Sequence, residues 1–129
     1  MKITARFLTN SVGISNPVMM ECVGNGRIEI GNNSGFTSVV LSSRTLIKIG
    51  NNVKVGGNVR IFDHDFHSTD YRNRRQGGRD FDNVTSAKVA IGEDVLIGTN
   101  ALILKGFHIG GRSIVGAGSV ETVEVIPPV

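Results

Sequence analysis

Residues 91–120 read IGEDVLIGTNALILKGFHIGGRSIVGAGSV. Ile or Val stands at positions 91, 97, 103, 109 and 115, and Gly follows at four of these five. An α-helix repeats about every 3.6 residues and a half-buried strand every second residue, so neither produces a period of six with a fixed glycine. The period extends upstream, where IGNNVK, VGGNVR and IFDHDF begin at Ile49, Val55 and Ile61. Fainter sixes, IGNNSG and FTSVVL, begin at Ile30 and Phe36. The fifth position is small or β-branched at Val53, Val59, Val95, Ala101, Ser113 and Ser119, with Asp65 and Phe107 as exceptions.

A period of six implies a coil of short, flat strands with a turn every six residues. One aliphatic side chain per six points to the axis, and a small fifth residue fits the crowded interior near a corner. Gly and Asn at the corners accept left-handed backbone angles. Three sixes close a triangle, and stacked turns pair strand on strand. A β-sandwich is disfavoured, because its strands alternate without a fixed glycine.

Composition agrees with this picture. The chain of 129 residues is sized for one domain, 1–129, with a modest core. Hydrophobic residues make up 40% but aromatics only 5%, so the core must be built from small aliphatics. A net charge of +3 suits an anionic ligand and is too small to argue for nucleic acid. The single Cys22 has no internal disulfide partner and no metal-site spacing, so a cytoplasmic location is expected. MKITARFLTNSVG lacks a signal-peptide core, and no apolar run is long enough for membrane insertion.

The sixes break between Ile61 and Ile91, giving an extended loop at about 62–90. A rigid scaffold that throws out a long polar loop usually does so for function. IFDHDFHS places His64 and His67 beside Asp63 and Asp65 at the root of the loop. A general base near neutral pH needs a pKa near 7, which His has, and a nearby Asp can fix its tautomer. Arg72, Arg74, Arg75 and Arg79 in the same loop would meet phosphates or an acidic sugar, or be solvated.

The IGxxVxIG pattern and the closing VGAGS…IPP resemble the left-handed parallel β-helix of the hexapeptide-repeat acyltransferases, over residues 24 to 128. IFDHDFHS followed by DYRNRR is similar to the extended-loop motif of sugar and polysaccharide O-acetyltransferases, the branch of the galactoside and maltose enzymes. The resemblance implies an all-β fold, a homotrimer and direct acetyl transfer from acetyl-CoA to a sugar hydroxyl, with no metal. It makes His67 the general base, with Asp65 beside it and His64 as the alternative. It matches Thr99 and Ala117 to positions on the pantetheine arm, and Thr122 to one nearer the nucleotide. A short β-helix of small aliphatics has a thin core, which also favours burying a flank against a second copy.

Departures from the family pattern bear on these expectations. VLIG replaces the usual VWIG, putting Leu96 in place of an aromatic lid. SVETVEVIPP puts Val123 and Glu124 where Lys and Asp usually stand, leaving Arg112 or Lys105 as cations for the nucleotide phosphates. Two other readings compete. A non-catalytic assembly module would explain the missing Lys and aromatic but has no need of His67 or the loop. A γ-type zinc carbonic anhydrase shares the coil and uses three His on zinc; this chain has three His, His108 being the third, without that family's ligand spacing.

Overall fold

The computed structural model describes residues 2–4, 13 and 16–122, with backbone alone for residues 2–4. In chain order the elements are β1 (Lys2–Thr4), β2 (Met19–Cys22), β3 (Ile28–Ile30), β4 (Gly35–Thr37), β5 (Val40–Ser43), β6 (Ile47–Ile49), β7 (Lys54–Val55), β8 (Arg60–Phe62), α1 (Tyr71–Arg74), α2 (Gly77–Asp82), β9 (Val89–Ile91), β10 (Leu96–Ile97), β11 (Leu102–Ile103), β12 (His108–Ile109), β13 (Ile114–Val115) and β14 (Val120–Glu121). Every third strand stacks in parallel. Face 1 is β1-β4-β7-β10-β13, face 2 is β2-β5-β8-β11-β14, and face 3 is β3-β6-β9-β12. The chain therefore winds as a triangular solenoid of about five turns, with the two helices confined to the loop.

First-position residues form the core as in-register columns. Phe36, Val55, Ile97 and Val115 stack on face 1. Leu41, Ile61 and Ile103 stack on face 2, and Ile30, Ile49, Ile91 and Ile109 on face 3. All are buried except Ile30, which is half-buried. Val53, Val59, Val95 and Ala101 at fifth positions are buried with them. Each fully buried aliphatic contributes about 1.5–3 kcal/mol relative to exposure.

The two polar corner positions have different causes. Positive φ falls on the fourth residue of the sixes: Asn33, Asn52, Asn58, Asp94, Asn100, Gly106, Arg112 and Gly118. Asn and Asp tolerate that conformation better than other residues with a Cβ. The glycine at the second position is there for a different reason, close approach. A Cβ on Gly92 would lie 2.6 Å from the Gly111 nitrogen of the next coil, and one on Gly50 would lie 2.9 Å from the Gly92 carbonyl carbon. The second-position amides also tie the coils: Gly50 N–H donates to Ile91 O at 2.8 Å and Gly92 N–H to Ile109 O at 2.9 Å.

The faint early sixes are irregular. Leu41, not Ser42, pairs with Ile61, so Phe36 and Leu41 are five residues apart rather than six. Ser38, at φ +52, makes the shortened corner. The loop expected at about 62–90 leaves the coil after Phe62 and rejoins it at Val89. Its ends are zipped by an antiparallel bridge between His64 and Ser86, and by Ala87 N–H donating to Asp63 O at 2.8 Å. Among the described residues no helix is long and apolar enough to cross a membrane.

Gly92→Ala should lower stability by about 1–3 kcal/mol, because the new methyl meets backbone that cannot move aside. Asp94→Gly, two residues on in the same corner at φ +57, should leave stability nearly unchanged. Thermal unfolding of both variants checks this; equal destabilisation by the two would contradict the distinction.

Candidate functional site

The loop root is pinned by a buried carboxylate. Asp63, fully buried, accepts from Ser43 Oγ at 2.8 Å, Arg44 N–H at 2.6 Å and Thr45 N–H at 2.9 Å. These donors lie at the corner of the preceding coil, so the departure of the loop is set by rigid scaffold. Phe66 follows at φ +65, a strained conformation for an aromatic residue.

His67 comes next and its ring is largely solvent-exposed. Its Nδ1 lies 2.6 Å from Asp80 Oδ2, while the other Asp80 oxygen accepts Ser68 N–H at 2.7 Å. The His67 and Ser68 hydrogen bonds hold the Asp80 carboxyl below the usual carboxylate range. With Nδ1–H donating to Asp80, Nε2 carries a lone pair, and among the described residues no hydrogen bond occupies it. This imidazole–carboxylate pair has the geometry of a general base.

Asp65 was expected beside His67, but its carboxylate points elsewhere. Asp65 Oδ1 pairs with Lys105 Nζ at 2.9 Å, across to the next coil, and only its backbone carbonyl meets His67, accepting its N–H at 2.7 Å. The carboxylate partner of His67 is therefore Asp80, thirteen residues on, and Lys105 is engaged at the loop root rather than left for a phosphate. His64 is buried, 4% exposed, with both ring nitrogens engaged: Nδ1 accepts Phe66 N–H at 3.0 Å and Nε2 lies 2.8 Å from Ser42 Oγ. It is not placed to take a proton from a substrate. His108 is exposed on face 3, where it borders a groove of about 460 Å3 with Lys48, Lys88 and Gly110. Among the described residues no three His, Cys, Asp or Glu side chains converge as a metal site.

The two short helices hold Asp80 in place. Asp70 caps α1, accepting Arg72 N–H at 2.9 Å and pairing with the Arg72 guanidinium. Arg74 donates to Ser68 O at 2.9 Å, and Arg75 lies over the Tyr71 ring. Three of the loop arginines thus hold the loop together. Arg44, which the sequence did not single out, stacks its guanidinium 4.5 Å from the Phe81 ring and anchors α2 to the coil.

The expected cofactor residues sit on a different edge of the prism. Thr99 and Ala117 occupy stacked corners between faces 1 and 2, while the loop leaves between faces 2 and 3. Thr99 O accepts Gly118 N–H at 2.9 Å. Gly98 fits there because a Cβ would lie 2.6 Å from the Ala117 nitrogen. Among the described residues, Thr99 Oγ1 and the Ala117 amide make no hydrogen bond. Leu96 is half-exposed on face 1, where it borders a shallow groove with Phe36 and Lys54. Thr122 is exposed just past β14, and Arg112 is exposed at a corner. Val123 and Glu124 lie outside the described residues.

A hexapeptide-repeat solenoid with an imidazole–carboxylate pair at the root of one loop defines the class. The model for the hexapeptide repeat of succinyl-transferase matches residues 88–121. Galactoside O-acetyltransferase of Escherichia coli strain K12 is 32% identical over 104 residues, spanning 79% of this chain and 48% of that one. A hexapeptide-repeat-containing acetyltransferase from Vibrio cholerae, solved with acetyl coenzyme A, matches with TM-score 0.67 and 34% identity over 80% of this chain and 54% of that one. A maltose O-acetyltransferase from Clostridium difficile 630 matches with TM-score 0.65 and 28% identity, covering 85% and 58%. The chain spans about half the length of the curated relatives it matches. Its repeat and fold are similar to those of the hexapeptide-repeat acetyltransferases, and the solenoid is their left-handed parallel β-helix.

Burial holds His64 below its ordinary value of 6.5; Arg44 adds to this, and Asp63, Glu21 and Asp65 oppose it. The unfolded chain takes up a proton near 6.5 while the folded chain resists, so stability present above that pH is lost as pH falls below it. Asp70 and Asp80, held below their ordinary 3.8, lose their contribution only at lower pH. Denaturant unfolding at about pH 7.5 and about pH 5.5 should show a larger loss for the wild type than for His64→Asn. Equal losses would mean that His64 does not set this limb.

Proposed function

We propose that this protein transfers an acetyl group from acetyl-CoA to a hydroxyl of a sugar or polysaccharide precursor, with His67 as general base. The observation that carries the reading is the His67–Asp80 pair, with Nδ1 fixed at 2.6 Å and Nε2 left to face a substrate. Nε2 takes the proton of the acceptor hydroxyl as its oxygen attacks the thioester carbonyl. Asp80 stabilises the imidazolium that forms. The tetrahedral intermediate expels the CoA thiolate, which receives the proton back from His67, so neither a metal nor a covalent enzyme intermediate is required.

The acetyl-CoA arm runs past Thr99 and Ala117, whose small stacked corner leaves room for it, towards Thr122 at the nucleotide end. That corner and the base lie on opposite edges of face 2, so a working site takes its base from one chain and its cofactor corner from a second. A homotrimer supplies that arrangement. In support, face 2 presents Met19 and Val120 and face 1 presents Leu96 and Ile114 as exposed apolar side chains, apolar surface of the kind an interface buries. A cytoplasmic location fits the free, exposed thiol of Cys22.

His67→Ala should lower kcat about a hundredfold or more while the calorimetric Kd for acetyl-CoA stays within about twofold. Asp80→Asn should lower kcat about tenfold or more. Unchanged turnover in both would remove the base assignment, and failure of the wild type to bind acetyl-CoA would remove the transferase reading in favour of an assembly module. Mixing inactive His67→Ala with inactive Ala117→Trp should restore activity if two chains build each site. No recovery after confirmed subunit exchange would place the whole site within one chain.

A further inference from the structure

The loop root carries a second histidine that the proposed reaction does not use. We propose that His64 is a positioning residue: its Nδ1 holds the Phe66 amide, and so fixes the strained backbone that presents His67. The inference rests on His67 being the base.

Three observations carry it. Phe66 has φ +65, where a residue with a Cβ stays only if its surroundings hold it. The contact between His64 Nδ1 and Phe66 N–H, at 3.0 Å, joins a side-chain acceptor to the amide two residues on, the connectivity of an Asx turn with imidazole in place of amide. The ring is also tethered at its far side. Phe66 N–H donates to Nδ1, so Nε2 carries the proton and donates to Ser42 Oγ at 2.8 Å, and Ser42 O–H donates to Glu21 Oε2 at 2.9 Å. The donors all run one way, from Phe66 in the loop to Ser42 on β5 and Glu21 on β2. Packing reinforces the geometry: the Phe66 ring sits 4.3 Å from the His64 ring and 4.8 Å, edge-on, from Phe62.

His67 is therefore held twice. Asp80 fixes its ring, and His64 fixes the peptide that precedes it. Losing the Nδ1 acceptor frees Phe66 to relax to negative φ, which turns the following peptide and carries His67 off its line to the acceptor. A residue serving only to fill the core would alter stability without this effect on turnover.

The test compares His64→Leu, which keeps bulk and loses the acceptor, with His64→Asn, whose Oδ1 stands where Nδ1 does. Acetyl transfer is measured at saturating acetyl-CoA and acceptor on variants shown to be folded by circular dichroism. His64→Leu should lose about ten- to a hundredfold in kcat with KM for acetyl-CoA within about twofold, and His64→Asn should stay within about threefold of wild type. Wild-type kcat in His64→Leu, or an equal loss in His64→Asn, overturns the proposal. Should His64→Leu not fold, nitrogen-15 spectra of the wild-type imidazoles decide: His64 with Nε2–H and bare Nδ1 supports it, and Nδ1–H overturns it. His67→Ala measured in parallel separates the two ideas. Loss there with full activity in His64→Leu removes only the positioning role, whereas full activity in His67→Ala removes the base itself.

Discussion

Each coil lies close enough to the next for their backbones to bond at every corner, and the rest of the molecule depends on that approach. Strand-to-strand spacing in a parallel ladder is about 4.8 Å, which leaves no room for a side chain directed along the stack. The second residue meets this limit at Gly31, Gly50, Gly56, Gly92 and Gly98, and glycine there lets its amide reach the first-position carbonyl of the next coil, as Gly56 reaches Ile97 at 2.8 Å and Gly98 reaches Val115 at 2.9 Å. The fourth residue turns the corner at positive φ and donates to the third-position carbonyl of a neighbouring coil, as Asp94 does to Asn51 and Arg112 to Glu93. Aliphatic columns then close the interior. Close approach, corner geometry and burial are three consequences of one repeat, which is why a core almost without aromatics can be dense.

That rigidity passes into the loop. Asp63 is buried against the amides of Arg44 and Thr45, Asp65 reaches forward to Lys105, and His64 reaches back to Ser42. The loop root is thus bonded to the coil before it and the coil after it. Strain at Phe66 persists because both neighbouring coils resist relaxation. Farther out, Arg44 on Phe81 holds α2 against the coil, and α2 delivers Asp80 to His67. A flexible side chain acquires a defined direction through contacts that reach back to the coil.

Legibility in the sequence follows the range of the interactions. The columns of Ile and Val, the left-handed Asn corners and the position of the loop were readable because each recurs at a fixed local spacing. The second-position glycines were visible as a pattern, but their cause, contact with the next coil, lies eighteen or more residues away, as from Gly92 to Gly111. The early turns were harder to read, since a five-residue corner between Phe36 and Leu41 breaks the count that defines the rest. At the site, the Asp–His adjacency in DHDFH pointed to Asp65, and the structure gives that carboxylate to Lys105. Nothing in the spacing of Asp80 marks it, because its approach depends on two short helices, the first of which starts at the Asp70 cap.

The sequence by itself determined the solenoid, the buried columns and the point at which the chain leaves the coil, because these depend on which residues tolerate a corner or an interior every six positions. Only the tertiary structure decided which carboxylate meets His67, that His64 is buried with both nitrogens engaged, and that His67 and the Thr99–Ala117 corner stand on separate edges of the prism. The physical reason is common to all three: each is a contact between segments whose separation along the chain follows no period, so it exists only once the coil has fixed where the loop begins and ends.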